Sequence, residues 1–216
     1  MRAIEAAAIA SGAVSGRALM ERAGAGVVAA MLDLWPDLAA KPGRAMVLCG
    51  PGNNGGDGFV IARLLAQRGW QATVLMLGDP ARLPPDAAAA RRDWAAIGPT
   101  RALAAGADPG PADLGPGDVV IDALYGIGLS RPARDAAHLF ARFMREARPW
   151  RVVAVDVPSG IDADTGAPPG GGPAPHAAAD LTVTFHRPKP GHVAGAGRPP
   201  FGTVRVVDIG LPDGAT

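Results

Sequence analysis

Six short apolar runs recur along this chain, at residues 45–49, 71–77, 118–124, 152–157, 181–185 and 204–209. They are continuous rather than alternating, the pattern of strands covered on both faces. Helical patterns at 56–68, 85–96 and 134–147 lie between them, and alternation of that kind restricts the chain to an α/β fold around a mostly parallel, doubly wound sheet. Two more helices are predicted ahead of the first strand, at 2–10 and 17–34. The second repeats Leu19, Met20, Ala23, Val27, Ala30, Met31 and Leu34 near helical spacing, and Pro36 with Lys41-Pro42-Gly43 closes this leader. Residues 163–179 and 195–200 read as irregular loops, but a strand follows each. The expectation is one domain over 1–216, with a helical leader at 1–43 and a sheet core at 44–216.

At 48% hydrophobic residues in 216 positions, the chain can bury a sizeable core. Its net charge of +1 gives no general field for nucleic acid or an anionic membrane, so any phosphate must be held by a local site. A single cysteine, Cys49, excludes an internal disulfide and suits a reducing compartment; placed in an apolar run, it reads as a core residue. The N-terminus carries Glu5 where a signal peptide needs an apolar stretch, and no run approaches the roughly 18 apolar residues of a membrane helix. A cytoplasmic protein acting on a small molecule is expected, without nucleic acid or membrane partners.

Four segments carry polar or glycine-rich sequence off the ends of predicted strands, where ligands bind in an open parallel sheet. The first is Gly50-Pro51-Gly52-Asn53-Asn54-Gly55-Gly56-Asp57-Gly58, a loop that opens a helix and presents backbone N–H groups beside a positive helix end, a phosphate site needing no basic side chain. Gly50, Gly52 and Gly55 also satisfy a dinucleotide fingerprint, with Asp79 at the spacing of a ribose-binding acid. The second runs from Asp122 to Pro132 through Gly126 and Gly128, with Asp122 set at an apolar strand end, where a bare carboxylate is costly unless paired or bound to a cation. The third, Asp156-Val157-Pro158-Ser159-Gly160, repeats that placement; an apolar setting would raise the pKa of Asp156 and suit it to proton transfer near neutrality. Pro-Ser-Gly lacks the leading glycine of a nucleophile elbow, which weighs against Ser159 as a nucleophile. The fourth, Phe185-His186-Arg187-Pro188-Lys189-Pro190-Gly191, holds Lys189 between two prolines, either to neutralise a phosphate or to face solvent. Asn54, Asp122 and Ser159 would bring three oxygens together from neighbouring strand ends, a donor set for a hard cation and not for zinc.

In this order, with the leader Leu19-Met20-Glu21-Arg22-Ala23-Gly24, the four segments resemble the N-terminal domain of the YjeF family, the NAD(P)H-hydrate epimerases. The resemblance covers nearly the whole chain. It implies a Rossmann-like three-layer α/β/α sandwich and a metabolite-repair isomerase that interconverts the R and S forms of hydrated NADH and NADPH (NADHX and NADPHX) at C6 of the nicotinamide ring. It further implies that Asn53, Asn54, Gly55, Gly56 and Asp57 contact the hydrated dinucleotide together with Gly126, Ile127, Gly128, Leu129, Ser130, Arg131 and Pro132. Asp156 would contact it at the reacting centre as the catalytic residue, and Asn54, Asp122 and Ser159 would bind potassium. A homodimer is implied, as is an ADP- or ATP-dependent NAD(P)H-hydrate dehydratase, fused or working alongside. The chain would be either a stand-alone epimerase or the front half of a bifunctional protein, with a few family residues missing before Met1. Two other readings remain open at this point: a non-catalytic nucleotide-binding or protein-interaction scaffold of the same fold, and a nicotinamide-dependent oxidoreductase using the glycine fingerprint.

Overall fold

A computed structural model of the chain describes residues 2–103, 114–145, 148–170, 174–195 and 200–212. The leader forms three helices, α1 (Arg2–Ala10), α2 (Gly16–Leu34) and α3 (Pro36–Ala40). Ser15 caps α2, its side chain accepting the Ala18 N–H, and Leu19, Met20, Ala23, Val27, Val28 and Met31 turn one buried face inward. Pro36 does not end the leader as expected. It opens α3, because its fixed φ and missing N–H are both tolerated in a first helical turn.

The core follows as β1 (Arg44–Cys49), α4 (Asn53–Ala66), β2 (Gln71–Met76), α5 (Pro85–Ala95), β3 (Thr100–Ala102), β4 (Val119–Ala123), α6 (Ala137–Phe143), β5 (Arg151–Val155), β6 (Leu181–Phe185), α7 (Pro190–Gly195) and β7 (Thr203–Val207). The strands form one sheet in the order β3-β2-β1-β4-β5-β6-β7, with every pairing parallel. Strands β4, β5 and β6 are almost wholly buried, which is why their sequences are unbroken apolar runs. One face of the sheet packs on α2, α4 and α5 through residues such as Val27, Phe59, Leu65 and Trp94; the other packs on α6 through Leu139, Phe140 and Phe143. That is the expected three-layer α/β/α arrangement.

Several boundaries differ from the sequence expectation. α4 begins at Asn53 rather than 56, since the asparagines and glycines occupy its first turn, where weak helix formers are accepted. The predicted helix 134–147 is a 3₁₀ turn (Arg134–Ala136) followed by α6, and 146–147 lie outside the described residues. Strand β5 stops at Val155, because Asp156 turns into the left-handed region (φ 68°). Strand β3, three residues at a sheet edge, has no apolar run to announce it. No helix among the described residues is long and apolar enough to cross a membrane.

Candidate functional site

From β1 the chain winds toward β2 and β3, whereas β4 leads the other way to β5, β6 and β7. The loops leaving β1 and β4 therefore diverge, and a cleft opens at this switch point beyond the carboxyl ends of the strands. Its volume is about 570 Å³. One wall is the start of α4 and the other is the loop from Leu124 to Arg131, with Asp156 and Phe185 at the base. Of the residues singled out in the sequence, Asn53, Asn54, Asp57, Gly126, Ile127, Gly128, Leu129, Ser130, Arg131 and Asp156 line it.

Gly55, Gly56 and Pro132 do not line the cleft. A Cβ on Gly55 would lie 2.0 Å from the Gly50 carbonyl oxygen, and one on Gly56 would press into Met20 and Ala87, so these glycines allow α4 to pack against its surroundings. Their neighbours carry the anion-binding geometry. Gly52 is the helix N-cap without a capping side chain, and the N–H groups of Asn53, Asn54 and Gly55 precede the first helical acceptor pairing, Gly56 N–H to Gly52 O at 3.3 Å. The Asn54 Nδ2 is also buried without a partner, a donor whose isolation costs about 1–3 kcal/mol until an acceptor meets it. Asp79, at the spacing of a ribose-binding acid, stands outside the cleft lining: it caps the 3₁₀ turn Pro80–Arg82, accepting the Ala81 N–H.

Asp156 is not the bare carboxylate expected from its apolar strand. It is buried, its backbone N–H donates to Val183 O (2.7 Å), and its Oδ1 accepts from Thr184 Oγ1 (2.9 Å) and Lys189 Nζ (2.6 Å). Oδ2 has only a long contact, 3.4 Å from the Ile127 N–H, and lies toward Gly126 on the cleft wall. A left-handed backbone at a non-glycine residue costs on the order of 1 kcal/mol and is retained where the surroundings enforce it. Here it turns the carboxylate off the strand and into the cleft. Lys189 therefore does neither of the things its sequence allowed; it is buried behind Asp156.

Asp122 forms a second buried acid. Its Oδ1 accepts from Ser159 Oγ (2.6 Å) and Leu124 N–H (3.4 Å), and its Oδ2 from Ser159 N–H (2.8 Å). Burial pushes its pKa up to about 6, against the lowering effect of these hydrogen bonds. The contrast with the other end of β4 is informative: Asp118 is clamped by the Arg44 guanidinium at 2.8 Å, whereas no lysine or arginine among the described residues pairs with Asp122. Ser159 Oγ accepts the Tyr125 N–H (2.9 Å), and no histidine among the described residues meets it, so nothing arms it as a nucleophile. Asn54 Oδ1 and Asp156 Oδ2 both lie on the side of Gly126 toward which a Cβ would project. The buried Asp122 carboxylate and the Ser159 hydroxyl bonded to it are oxygens of the kind a hard cation takes, and Asn54 lies on the cleft wall. Among the described residues no cluster of three or more His, Cys, Asp and Glu side chains could hold a metal.

One residue of this region, Glu5, was not legible as such, and the setting of Asp57 was not legible either. Glu5, on α1, reaches the cleft from the leader. Asp57, half-buried, has its pKa raised well above the ordinary carboxylate range, first by desolvation and then by the charges of Asp156 and Glu5. Cys49 is fully buried, and its pKa is raised by burial, as befits a core thiol.

Gly126 leaves just enough space between the two walls. A Cβ there would lie 3.2 Å from Asp156 Oδ2 and 3.3 Å from Asn54 Oδ1. Its φ is not left-handed, so alanine strains no backbone. Gly126→Ala should keep the wild-type melting temperature within about 2 °C while lowering turnover by roughly 10–100-fold through displaced groups; thermal melts and rate measurements on the same sample check this.

Residues 16–191 match the family model described as YjeF-related protein N-terminus. The chain is 51% identical over 195 residues to the NAD(P)H-hydrate epimerase of Rhodobacter capsulatus, covering 89% of this chain and 88% of that one. It is 44% identical over 227 residues to the NAD(P)H-hydrate epimerase of Roseobacter litoralis, covering 98% and 96%. A bifunctional NAD(P)H-hydrate repair enzyme of Leishmania braziliensis is 37% identical over 99% of this chain, which corresponds to 36% of that longer protein. Among solved structures, that of yeast ynu0 superposes with a TM-score of 0.66 at 22% identity, over 89% of this chain and 80% of that one, a likeness of fold.

Proposed function

The chain belongs to the family of YjeF-related protein N-termini, and on that premise we propose that it is a metabolite-repair epimerase that interconverts R and S NADHX and NADPHX at C6 of the nicotinamide ring. The observation that carries this reading is the meeting of an uncapped helix N-terminus and Asp156 Oδ2 in one cleft at the switch point.

Water added at C6 leaves that carbon bonded to both ring nitrogen N1 and a hydroxyl, a hemiaminal. Asp156 takes the hydroxyl proton as the C6–N1 bond breaks. C6 becomes an aldehyde carbon, the bonding pair goes to N1, and the proton is delivered there. Rotation about C5–C6 presents the other aldehyde face, and reclosure reverses each transfer. Atoms and electrons balance without oxidant or reductant, and one carboxylate oxygen serves both transfers. The N–H groups of Asn53 and Asn54 hold the diphosphate, with Arg131 as a cation on the cleft wall. Asp122 and Asp156, both buried and the second in a strained backbone conformation, weigh against a mere scaffold, which needs neither.

Incubation of the purified protein with R-NADHX, followed by chiral chromatography, tests the function. Conversion to an R/S mixture, with no change in reduced-nicotinamide absorbance, is expected. A redox change would favour an oxidoreductase; no conversion would favour a scaffold.

Asn54, Asp122 and Ser159 would hold a potassium ion. When bound, the ion supplies the fixed positive charge that Asp122 otherwise lacks and orients the Asn54 amide. Potassium chloride should then raise the melting temperature over choline chloride at equal ionic strength. The gain is about 2–4 °C per kcal/mol of binding, and Asp122→Asn should abolish it. Equal melting in both salts contradicts the site. A cytoplasmic homodimer acting beside a hydrate dehydratase completes this reading; the single buried cysteine suits the compartment, and the longer bifunctional relatives suit a second repair activity alongside.

A further inference from the structure

Lys189 is fixed in place from both sides of the chain. Pro188 and Pro190 restrict the backbone around it, α7 starts at Pro190, and its own N–H donates to His192 Nδ1 at 3.1 Å. The His192 ring packs edge-on against Phe201 at 5.4 Å, which closes the site from behind. The side chain then runs inward, and its ammonium is shared among Asp156 Oδ1 (2.6 Å), Thr184 Oγ1 (2.5 Å) and Phe185 O (3.4 Å). Thr184 Oγ1 in turn donates to the same Asp156 Oδ1 at 2.9 Å. Lysine, threonine and carboxylate thus form a closed triangle on one oxygen of the carboxyl group. Lys189 does not line the cleft; Asp156 does.

We propose that Lys189 is a positioning residue: with Thr184 it holds Oδ1 of Asp156 from behind, so that Oδ2 alone faces the substrate and carries the proton. Two donors on Oδ1 lock the carboxyl torsion, and the ammonium supplies the counter-charge that a buried carboxylate requires if it is to release and regain a proton repeatedly. An aspartate free to rotate would present either oxygen, and the near-attack geometry would be lost for much of the time. The inference rests on Asp156 as the proton carrier.

Lys189→Met, Lys189→Arg and Thr184→Val, each assayed as the full chain for R-to-S conversion across pH 5–9, separate this role from a structural one. Lys189→Met is expected to lose roughly 10–100-fold in kcat with KM within about threefold of wild type. The acid limb of its pH profile should move to higher pH, because a nearby cation has gone. Thr184→Val should give a smaller loss and a smaller movement in the same sense. Lys189→Arg should return the limb to its wild-type position while recovering only part of kcat. If Lys189→Met does not fold, Thr184→Val and Lys189→Arg decide by the same two readouts. An unmoved acid limb in every folded variant, or a loss confined to KM, overturns the positioning role while leaving the epimerase reading intact. Inactive wild-type protein overturns the epimerase reading instead.

Discussion

Asp156→Asn is expected to fold and to lose R-to-S conversion by about 10²–10⁴-fold, the usual worth of a general acid–base group. The substitution is close to isosteric. An asparagine accepts the left-handed backbone that Asp156 adopts (φ 68°) more readily than most residues. Its amide oxygen can still receive the donors from Thr184 and Lys189 that now reach Oδ1. What it cannot do is take and return a proton at the position of Oδ2. Removing the carboxylate also leaves the buried Lys189 ammonium without its counter-charge, so the melting temperature should fall by several degrees while the transition stays single and cooperative. Asp156→Ala should be worse on that count, since it removes the acceptor as well as the charge. Activity by chiral chromatography and stability by thermal circular dichroism, on the same preparation, keep the two effects apart.

Gly50→Ala is expected not to accumulate as folded protein. Gly50 directly follows β1 beside the end of β4, and its N–H donates to Ala123 O at 2.9 Å. A Cβ there would lie 1.8 Å from the Leu124 carbonyl oxygen and 2.6 Å from its carbon. Both obstacles are backbone, and the β1–β4 register that fixes them runs through Cys49 and Ala123 immediately before. Relief would require the two strand tips to part, unpairing the centre of the sheet. Overpacking that side-chain shifts can absorb costs about 1–3 kcal/mol; this clash cannot be absorbed that way, and total stability is only about 5–15 kcal/mol. Gly52→Ala, two positions on, is the control: nothing lies within 4 Å of its Cβ and its φ is an ordinary −114°. It should fold, with a loss of up to about 1 kcal/mol for the poorer N-cap. Soluble yield and melting temperature of the pair provide the check.

The contrast between Gly50 and Gly52 explains how much of this protein can be read from its sequence. The sheet was legible because burying both faces forces unbroken apolar runs, and the strand-end acids Asp122 and Asp156 stood out because such runs make a carboxylate conspicuous. The glycine loop was legible as a unit but not residue by residue: Gly50, Gly55 and Gly56 serve close approach within the fold, while the backbone of Asn53 and Asn54 faces the cleft. Lys189 could not be placed, because a lysine between prolines has a fixed backbone but a side-chain direction set by elements distant in sequence, here Thr184 and Asp156. Glu5 entered the cleft unannounced for the same reason; only the docking of the leader on the core brings α1 to the switch point. Asp79 matches a ribose acid by spacing alone; it caps a local turn and does not line the cleft.

The most direct test of the account is a crystal structure of the Asp156→Asn protein with R-NADHX bound. The diphosphate should lie on the N–H groups of Asn53 and Asn54, with the C6 oxygen within hydrogen-bond reach, about 2.6–3.2 Å, of the side-chain atom at position 156 that replaces Oδ2. A nicotinamide ring lying outside the cleft, or with C6 turned away from position 156, would contradict it.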